Sequence, residues 1–502
     1  MLFSFPVVLT LGTLILAAWL LRGYLRLRHI PGPWLSALSN VPRSYWIWTN
    51  RSHEIHIDLH RKYGRLVRFG PNMISVTDPR EIPHIYSFAG TFGKSDFYRA
   101  LAFYVRGKPV QTIFATQDER IHHLLRRPIA GLYSMSNVVS FEPYVDSTMK
   151  VLFERLDEEF VRSGSVCNLE AWLQYFAFDV IGELTFSKRL GFLQHGGDVD
   201  GIIHAIDQYF DTAAIVSQIP WVDWLWAKNP LLQRFRKHSV NPIVAFALAR
   251  AAERQSEKKE ANENGRSDTR DFLSQFLEAI EKDPSIPPWA LTAWTTSNVG
   301  AGSDTTAILL RSIIYQLLKH PECLARLLGE LKRARQQGQL SDVVTWREAR
   351  ELPYLDAVIK ESGRLHPPFG LPFERVVPPE GAVICGKSIP GGSVVGISAW
   401  AIHRDPETFG ADCDEWKPER WLCDENTRRR MDSALMTFGA GRRVCLGKHI
   451  SYLEIYKLVP TLFQRYELCF AHPGDVRWQV KNRWFVHQTG LSVRIKYREE
   501  FA

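Results

Sequence analysis

No stretch of the chain restricts its fold more than Phe438-Gly-Ala-Gly441-Arg-Arg443-Val-Cys445-Leu-Gly447. One cysteine is bracketed by two glycines, with an arginine two residues before it and an aromatic seven residues before it. Such a backbone is shaped to hold a sulfur against something flat. Gly441 and Gly447 permit tight geometry and let backbone N–H groups approach a thiolate. Arg443 is placed to neutralise a carboxylate. Cysteine thiolate is one of the few protein ligands that sit axially on haem iron. Taken alone, Cys445 has a second reading as an inert buried thiol, the usual fate of a free cysteine.

A chain of 502 residues, 45% of them hydrophobic, can bury a large core and enclose a cofactor. Its seven cysteines are odd in number and follow no disulfide or zinc spacing, which points to a reducing compartment. The net charge is +8. No basic repeat or zinc-finger spacing accompanies it, so nucleic acid is excluded as a partner. The excess suits an anionic membrane surface and an acidic protein partner. The sequon Asn50-Arg-Ser52 is expected to be unused.

Residues 2–21, LFSFPVVLTLGTLILAAWLL, carry no charge and are followed by Arg22, Arg26 and Arg28. About twenty apolar residues match a bilayer core. The basic flank predicts an N-terminal transmembrane anchor with the body on the cytosolic side. A cleaved signal is the weaker reading, because no basic n-region precedes the run. Residues 1–29 are thus expected to be anchor and flank, and Pro31-Gly-Pro33 an elbow before a catalytic domain over 30–502.

Within that body, residues 65–69 and 73–77 flank Gly70-Pro71-Asn72 and predict a hairpin. From about 118 to 250 the apolar spacing is helical. Residues 253–270 are polar throughout and read as a surface loop. A helix over about 289–319 would span about 45 Å. Its ends are apolar, but its middle, Gly300-Ala-Gly-Ser-Asp304-Thr305-Thr306, is small and polar. Another helix is expected over 352–364, a last one from Cys445 to about 460, and short strands at 383–384 and 394–395. The body is mainly α with a minor β region.

Three further constellations carry chemistry. Ala301 and Thr305 share a helical face, so Thr305 is placed to hold a water or an oxygen-derived ligand, and Asp304 to carry protons inward. The plainer alternative is a hydroxyl bonded back to its i−4 carbonyl. Glu361 and Arg364, with Arg420, predict a buried structural ion-pair triad. His122 and Arg126 lie four apart on one face, and with Arg375 they suggest an anionic cofactor edge.

In this order the four constellations resemble the cytochrome P450 superfamily. Phe438, Gly441, Arg443, Cys445 and Gly447 are similar to its haem-binding loop, and Ala301–Thr306 to its oxygen-activation segment. His122 stands where a tryptophan is common in the family. The resemblance, which extends to microsomal members, implies a P450 fold preceded by a transmembrane helix, in the endoplasmic reticulum membrane with the lipid bilayer as a partner. Haem b would be ligated by Cys445, with His122, Arg126, Arg375, Phe438, Arg443 and Gly447 around it. Asp304 and Thr305 would be catalytic. Electrons would come from NADPH through a separate NADPH–cytochrome P450 reductase, with cytochrome b5 a second candidate partner.

Asp179-Val-Ile-Gly182, Phe186, Gly191-Phe192 and Asp271-Phe-Leu273 resemble fungal secondary-metabolism P450s of the pisatin-demethylase-like kind. The implied activity is monooxygenation of an apolar aromatic or polycyclic metabolite. Oxidative coupling, rearrangement or peroxide-driven oxidation is the alternative. Family topology would place Phe103, Tyr104, Trp221, Trp224, Phe369, Trp484 and Phe485 around the substrate.

Overall fold

The computed structural model describes residues 5–501 except 103, 106, 107, 228, 230, 233–243, 255–269 and 475. Most of the surface loop expected at 253–270 lies outside the described residues. Eight helices position the site: α1 (Phe5–Arg26), α2 (Glu119–Arg126), α3 (Glu142–Leu156), α4 (Leu169–Phe186), α5 (Ile202–Val216), α6 (Trp289–Lys319), α7 (Pro353–Leu365) and α8 (Lys448–Arg465).

The centre of the body is α6, a 31-residue helix whose bounds agree with the sequence expectation. A helix apolar on every side has to be wrapped by others, and α6 is covered by α4 along its length and by α7 and α8. At the α4 crossing the small residue is Gly302, where a Cβ would stand 3.0 Å from Ile181 Cγ1. Its smallness is therefore used for helix packing rather than for ligand space.

The minor β region joins strands from both halves of the chain. Strands β1 (Leu66–Gly70) and β2 (Met73–Val76) form the expected hairpin. With β3 (Gly93–Lys94), β4 (Arg375–Val376) and β5 (Val394–Ile397) they make one sheet in the order β1-β2-β5-β4-β3. Only the β2–β5 pairing is parallel. A separate hairpin, β6 (Gln479–Asn482) and β7 (Val486–Thr489), folds toward α5 and α6. The predicted triad forms a rigid knot under α7. Glu361 accepts from Arg364 at 2.7 and 2.8 Å, from Trp421 Nε1 at 2.9 Å and from Arg420 at 3.4 Å, with both Glu361 and Arg364 fully buried.

The expected membrane anchor is overturned. Among the described residues no helix is long and apolar enough to cross a membrane. Residues 2–4 of the apolar run lie outside the described residues. Helix α1 reaches its length only by including Arg22, Gly23 and Arg26, and that end belongs to the body. Arg68 donates to the Gly23 and Tyr24 carbonyls at 2.9 Å, Arg26 donates to the Gly391 carbonyl, and Leu27 is fully buried. The transmembrane helix and the single-pass placement in the endoplasmic reticulum fall with it, and nothing among the described residues supports the bilayer as a partner.

Candidate functional site

The segment around Cys445 is a tight loop entering α8. Gly441 has φ +62°, and a Cβ on it would stand 1.4 Å from the Tyr86 carbonyl oxygen, so only glycine fits. The Cys445 amide donates to the Phe438 carbonyl at 2.9 Å and closes the loop. The Phe438 ring packs edge-on to Tyr452, 5.0 Å away. Gly447 has an ordinary φ of −80°. Among the described residues beyond its chain neighbours, no atom lies within 4 Å of where its Cβ would be, so no such contact demands glycine there.

Cys445 is exposed by surface area, yet the protein around it is dense enough for burial to push its thiol up. The two observations agree if the sulfur faces an interior space. The Gly447 and Lys448 amides and the Arg126 guanidinium pull the other way, favouring thiolate. On α6, Ala301 is also exposed and Thr305 partly so, whereas Ser303, Asp304 and Thr306 are buried. One face of the central helix is thus open where its neighbours are closed. Thr306 ties that helix to α8 through Ser451 Oγ at 3.1 Å.

Basic groups gather beside the loop. Arg126 donates to the Val444 carbonyl at 3.0 Å. Arg443 is held by Glu119 at 2.6 Å and by the Ile113 and Thr116 carbonyls. Arg375 is buried between the Tyr86 and Tyr98 rings and donates to Tyr98 Oη at 3.3 Å. His122 is buried, and its Nε2 has no partner among the described residues. Burial, then Arg443 and Arg126, hold it down to about 3, so it is neutral. A cation that sequence reasoning missed is Lys94. It is buried over the Tyr98 ring at 4.0 Å, within electrostatic reach of Arg375 and Arg443. A two-residue strand carries no pattern that could have announced it.

The donor set fits a haem. A thiol is left uncovered by the chain, an orphaned imidazole nitrogen and several buried cations suit an anionic edge, and Gly447 leaves room that no described residue beyond its chain neighbours takes.

Asp304 is 1% exposed. Its Oδ1 accepts from Gln174 Nε2 at 2.5 Å, and Oδ2 has no partner among the described residues. Gln174 in turn accepts from Arg311 at 2.8 Å. Burial, then the Asp207 charge, push Asp304 up to about 7, against Arg311 and Gln174. Thr305 Oγ1 donates to the Ala301 carbonyl at 2.9 Å, the plainer arrangement its position on a helix allows. Arg311 was missed, although an arginine two turns beyond Asp304 in an apolar run was a legible signal.

Of the aromatics expected around the substrate, Phe369, Trp484 and Phe485 are brought together. Trp484 stacks on Phe97 at 5.4 Å and on Phe210 at 5.8 Å, and meets Phe369 edge-on at 4.7 Å. Ile308, one turn beyond Thr305, joins this cluster. Trp221 and Trp224 are instead 64% and 58% exposed, away from any wall. Phe103 and the Tyr104 side chain lie outside the described residues.

Comparison with known proteins settles the family. The family model described as Cytochrome P450 matches residues 30–492. The chain belongs to the cytochrome P450 family. A cytochrome P450 monooxygenase of Aspergillus terreus is 55% identical over 470 residues, 92% of this chain and 96% of that one. The cytochrome P450 monooxygenase cicH of Emericella nidulans is 51% identical over 486 residues, 96% of each chain. The cytochrome P450 monooxygenase mpaDE of Penicillium roqueforti is 46% identical over 95% of this chain, which spans 56% of that longer protein. This cytochrome P450 is accordingly an enzyme of the fungal monooxygenase type. Membership implies haem b held by a cysteine, NADPH-dependent reduction through a reductase, and a small organic substrate.

Proposed function

We propose that this P450 is a haem-thiolate monooxygenase, with 30–502 as its catalytic domain, that inserts one atom of O2 into an apolar aromatic or polycyclic secondary metabolite. Electrons come from NADPH through a separate reductase, and cytochrome b5 is a candidate second donor. Cys445 is assigned as the iron ligand. The observation that carries the assignment is a thiol left uncovered by the chain, though densely surrounded by it, in a loop that Gly441 and Tyr86 hold in one shape.

When bound, haem supplies dioxygen activation at its iron. The chain's own residues do the rest. The Gly447 and Lys448 amides temper the sulfur charge. Arg126, Arg375 and Arg443 neutralise carboxylates at the cofactor edge, neutral His122 turns its unpartnered Nε2 there as a hydrogen-bond donor, and Phe438 shields the loop. Asp304 holds a proton at Oδ2, and Thr305, by turning its hydroxyl off the Ala301 carbonyl, orients it for delivery. The Phe97, Phe210, Phe369, Trp484 and Phe485 rings exclude water and favour a flat apolar molecule. A pisatin-demethylase-like subgroup is the finer assignment, supported by Asp179-Val-Ile-Gly182 and Gly191-Phe192, where the Asp179 carboxylate accepts from the Gly191, Phe192 and Leu193 amides.

The reduced, carbon-monoxide-bound enzyme should show the thiolate-type Soret band, and Cys445→Ser should lose it. A variant that keeps the band would remove Cys445 as ligand. With reductase, NADPH and isotopically labelled dioxygen, one labelled atom should enter the product. Product formed without label would favour the coupling or rearrangement chemistry.

A further inference from the structure

Four rings form a continuous series from the cysteine loop toward the surface. Phe438, whose carbonyl takes the Cys445 amide, meets Tyr452 edge-on at 5.0 Å. Tyr452 meets Tyr456 edge-on at 5.8 Å, and Tyr456 meets Trp346 edge-on at 5.1 Å. The two tyrosines stand four apart on α8 and therefore share one face. Trp346 is partly buried and opens a short helix, Trp346–Ala349. A capping box fixes that helix, and the Trp346 amide donates to Glu142 at 2.7 Å. Packing alone asks only for apolar rings here, and phenylalanine would serve at 452 and 456. Tyrosine and tryptophan stand there instead, the two rings that readily give up an electron.

Tyr456 also has what such a loss requires. Its hydroxyl donates to the Asp356 carboxylate of α7, whose other oxygen is held by Lys360 at 3.3 Å. Burial, then the Asp356 charge, push the phenol up. A phenol that does not ionise alone loses its electron only as its proton leaves, and Asp356 is in place to take that proton. The Lys448 ammonium stands 5.4 Å over the Tyr452 ring, so positive charge does not rest there and an electron hole settles on Tyr456.

We propose that Trp346, Tyr456 and Tyr452 form an electron-entry chain that quenches oxidising equivalents left unused at the Cys445-ligated cofactor, a second, thiol-oxidising activity of this enzyme. The inference rests on the haem-thiolate reading. In each passage the Tyr456 O–H bond breaks. The electron moves inward by way of Tyr452, and the proton moves to Asp356. Trp346 then refills Tyr456 as Asp356 returns the proton, and a small thiol in solution refills Trp346. Two passages deliver two electrons, so two thiols become one disulfide, and two protons leave with the unused oxygen atom as water. Without such a route the oxidising equivalents stay beside the Cys445 sulfur, and oxidation of a thiolate beyond the sulfenic state is irreversible.

The test mixes the substrate-free ferric holoenzyme with peracetic acid and freezes it rapidly for electron paramagnetic resonance. A tyrosyl signal should appear, and should narrow when the tyrosines carry ring deuterium. Tyr456→Phe should lose it, and Asp356→Asn should lose it with both phenols still in place. In the presence of glutathione, Trp346→Phe should prolong it. Bleaching of the cofactor by the peracid should run faster in Tyr452→Phe and Tyr456→Phe than in the parent, and glutathione should slow it in the parent alone. An undiminished signal in the Tyr452→Phe/Tyr456→Phe double variant, with parental bleaching, overturns the chain. The thiolate-type band of the reduced, carbon-monoxide-bound parent reports the cofactor separately, and its absence overturns the reading on which the chain rests.

Discussion

Asp304 is legible in the sequence as an acid in a small polar break, but its state is not. Its carboxyl is raised from an ordinary value to about 7, so between about pH 4 and 7 the folded chain holds a proton that the unfolded chain releases. Stability therefore falls as pH rises through that window, by about 1.4 kcal/mol per unit at most, and is level above it. Asp304→Asn should flatten this slope, with no gain in melting temperature near pH 4 and the largest gain near pH 8, measured by thermal unfolding across pH. Thr305 belongs with it. Its hydroxyl is parked on the Ala301 carbonyl, so Thr305→Ala should leave folding within about 1 kcal/mol while diverting reducing equivalents to peroxide. Unchanged coupling would end its proposed role. What the sequence hid at this scale was partners. Nothing local to Asp304 announces Gln174 or Asp207, which arrive from two other helices.

At the scale of elements, periodicity was a sound guide wherever burial alone decides the outcome. The bounds of α6 and the β1–β2 hairpin follow from apolar spacing and from Gly70-Pro71-Asn72. Periodicity misled where one composition serves two ends. The small, polar middle of α6 includes Gly302, which serves a helix crossing against Ile181, and the apolar run at 2–21 looks like a span but passes into a helix tied down by Arg68. Gly441 carries the sharpest expectation here. Its Cβ has no room and its φ is positive, so Gly441→Ala should cost at least about 2 kcal/mol and lower haem content, read by chemical denaturation and by the ratio of Soret to protein absorbance. A wild-type midpoint would contradict the geometry.

For the whole molecule, the Glu361 knot joins α7 to the segment between β5 and α8. Arg364 reaches the His403, Cys413 and Glu415 carbonyls, and Glu361 takes the Lys417 amide. Removing one partner leaves buried charge uncompensated, so Glu361→Gln should destabilise by about 3–5 kcal/mol, visible as a lower urea midpoint with haem lost in the same transition. Two separate transitions would show that the knot and the site unfold independently.

Tyr86 joins two regions in a different way. Its hydroxyl donates to the Phe373 carbonyl at 2.7 Å and accepts from the Ile397 amide at 2.9 Å, its ring lies under Arg375, and its carbonyl fills the space a side chain at 441 would need. Positions 86 and 441 are therefore a single unit of inheritance. In a library randomised at both, survivors with any residue but glycine at 441 should be absent unless the backbone at 86 has moved first, and a change at 86 should be readable as a shift in the spectrum of a cofactor that Tyr86 has no need to touch.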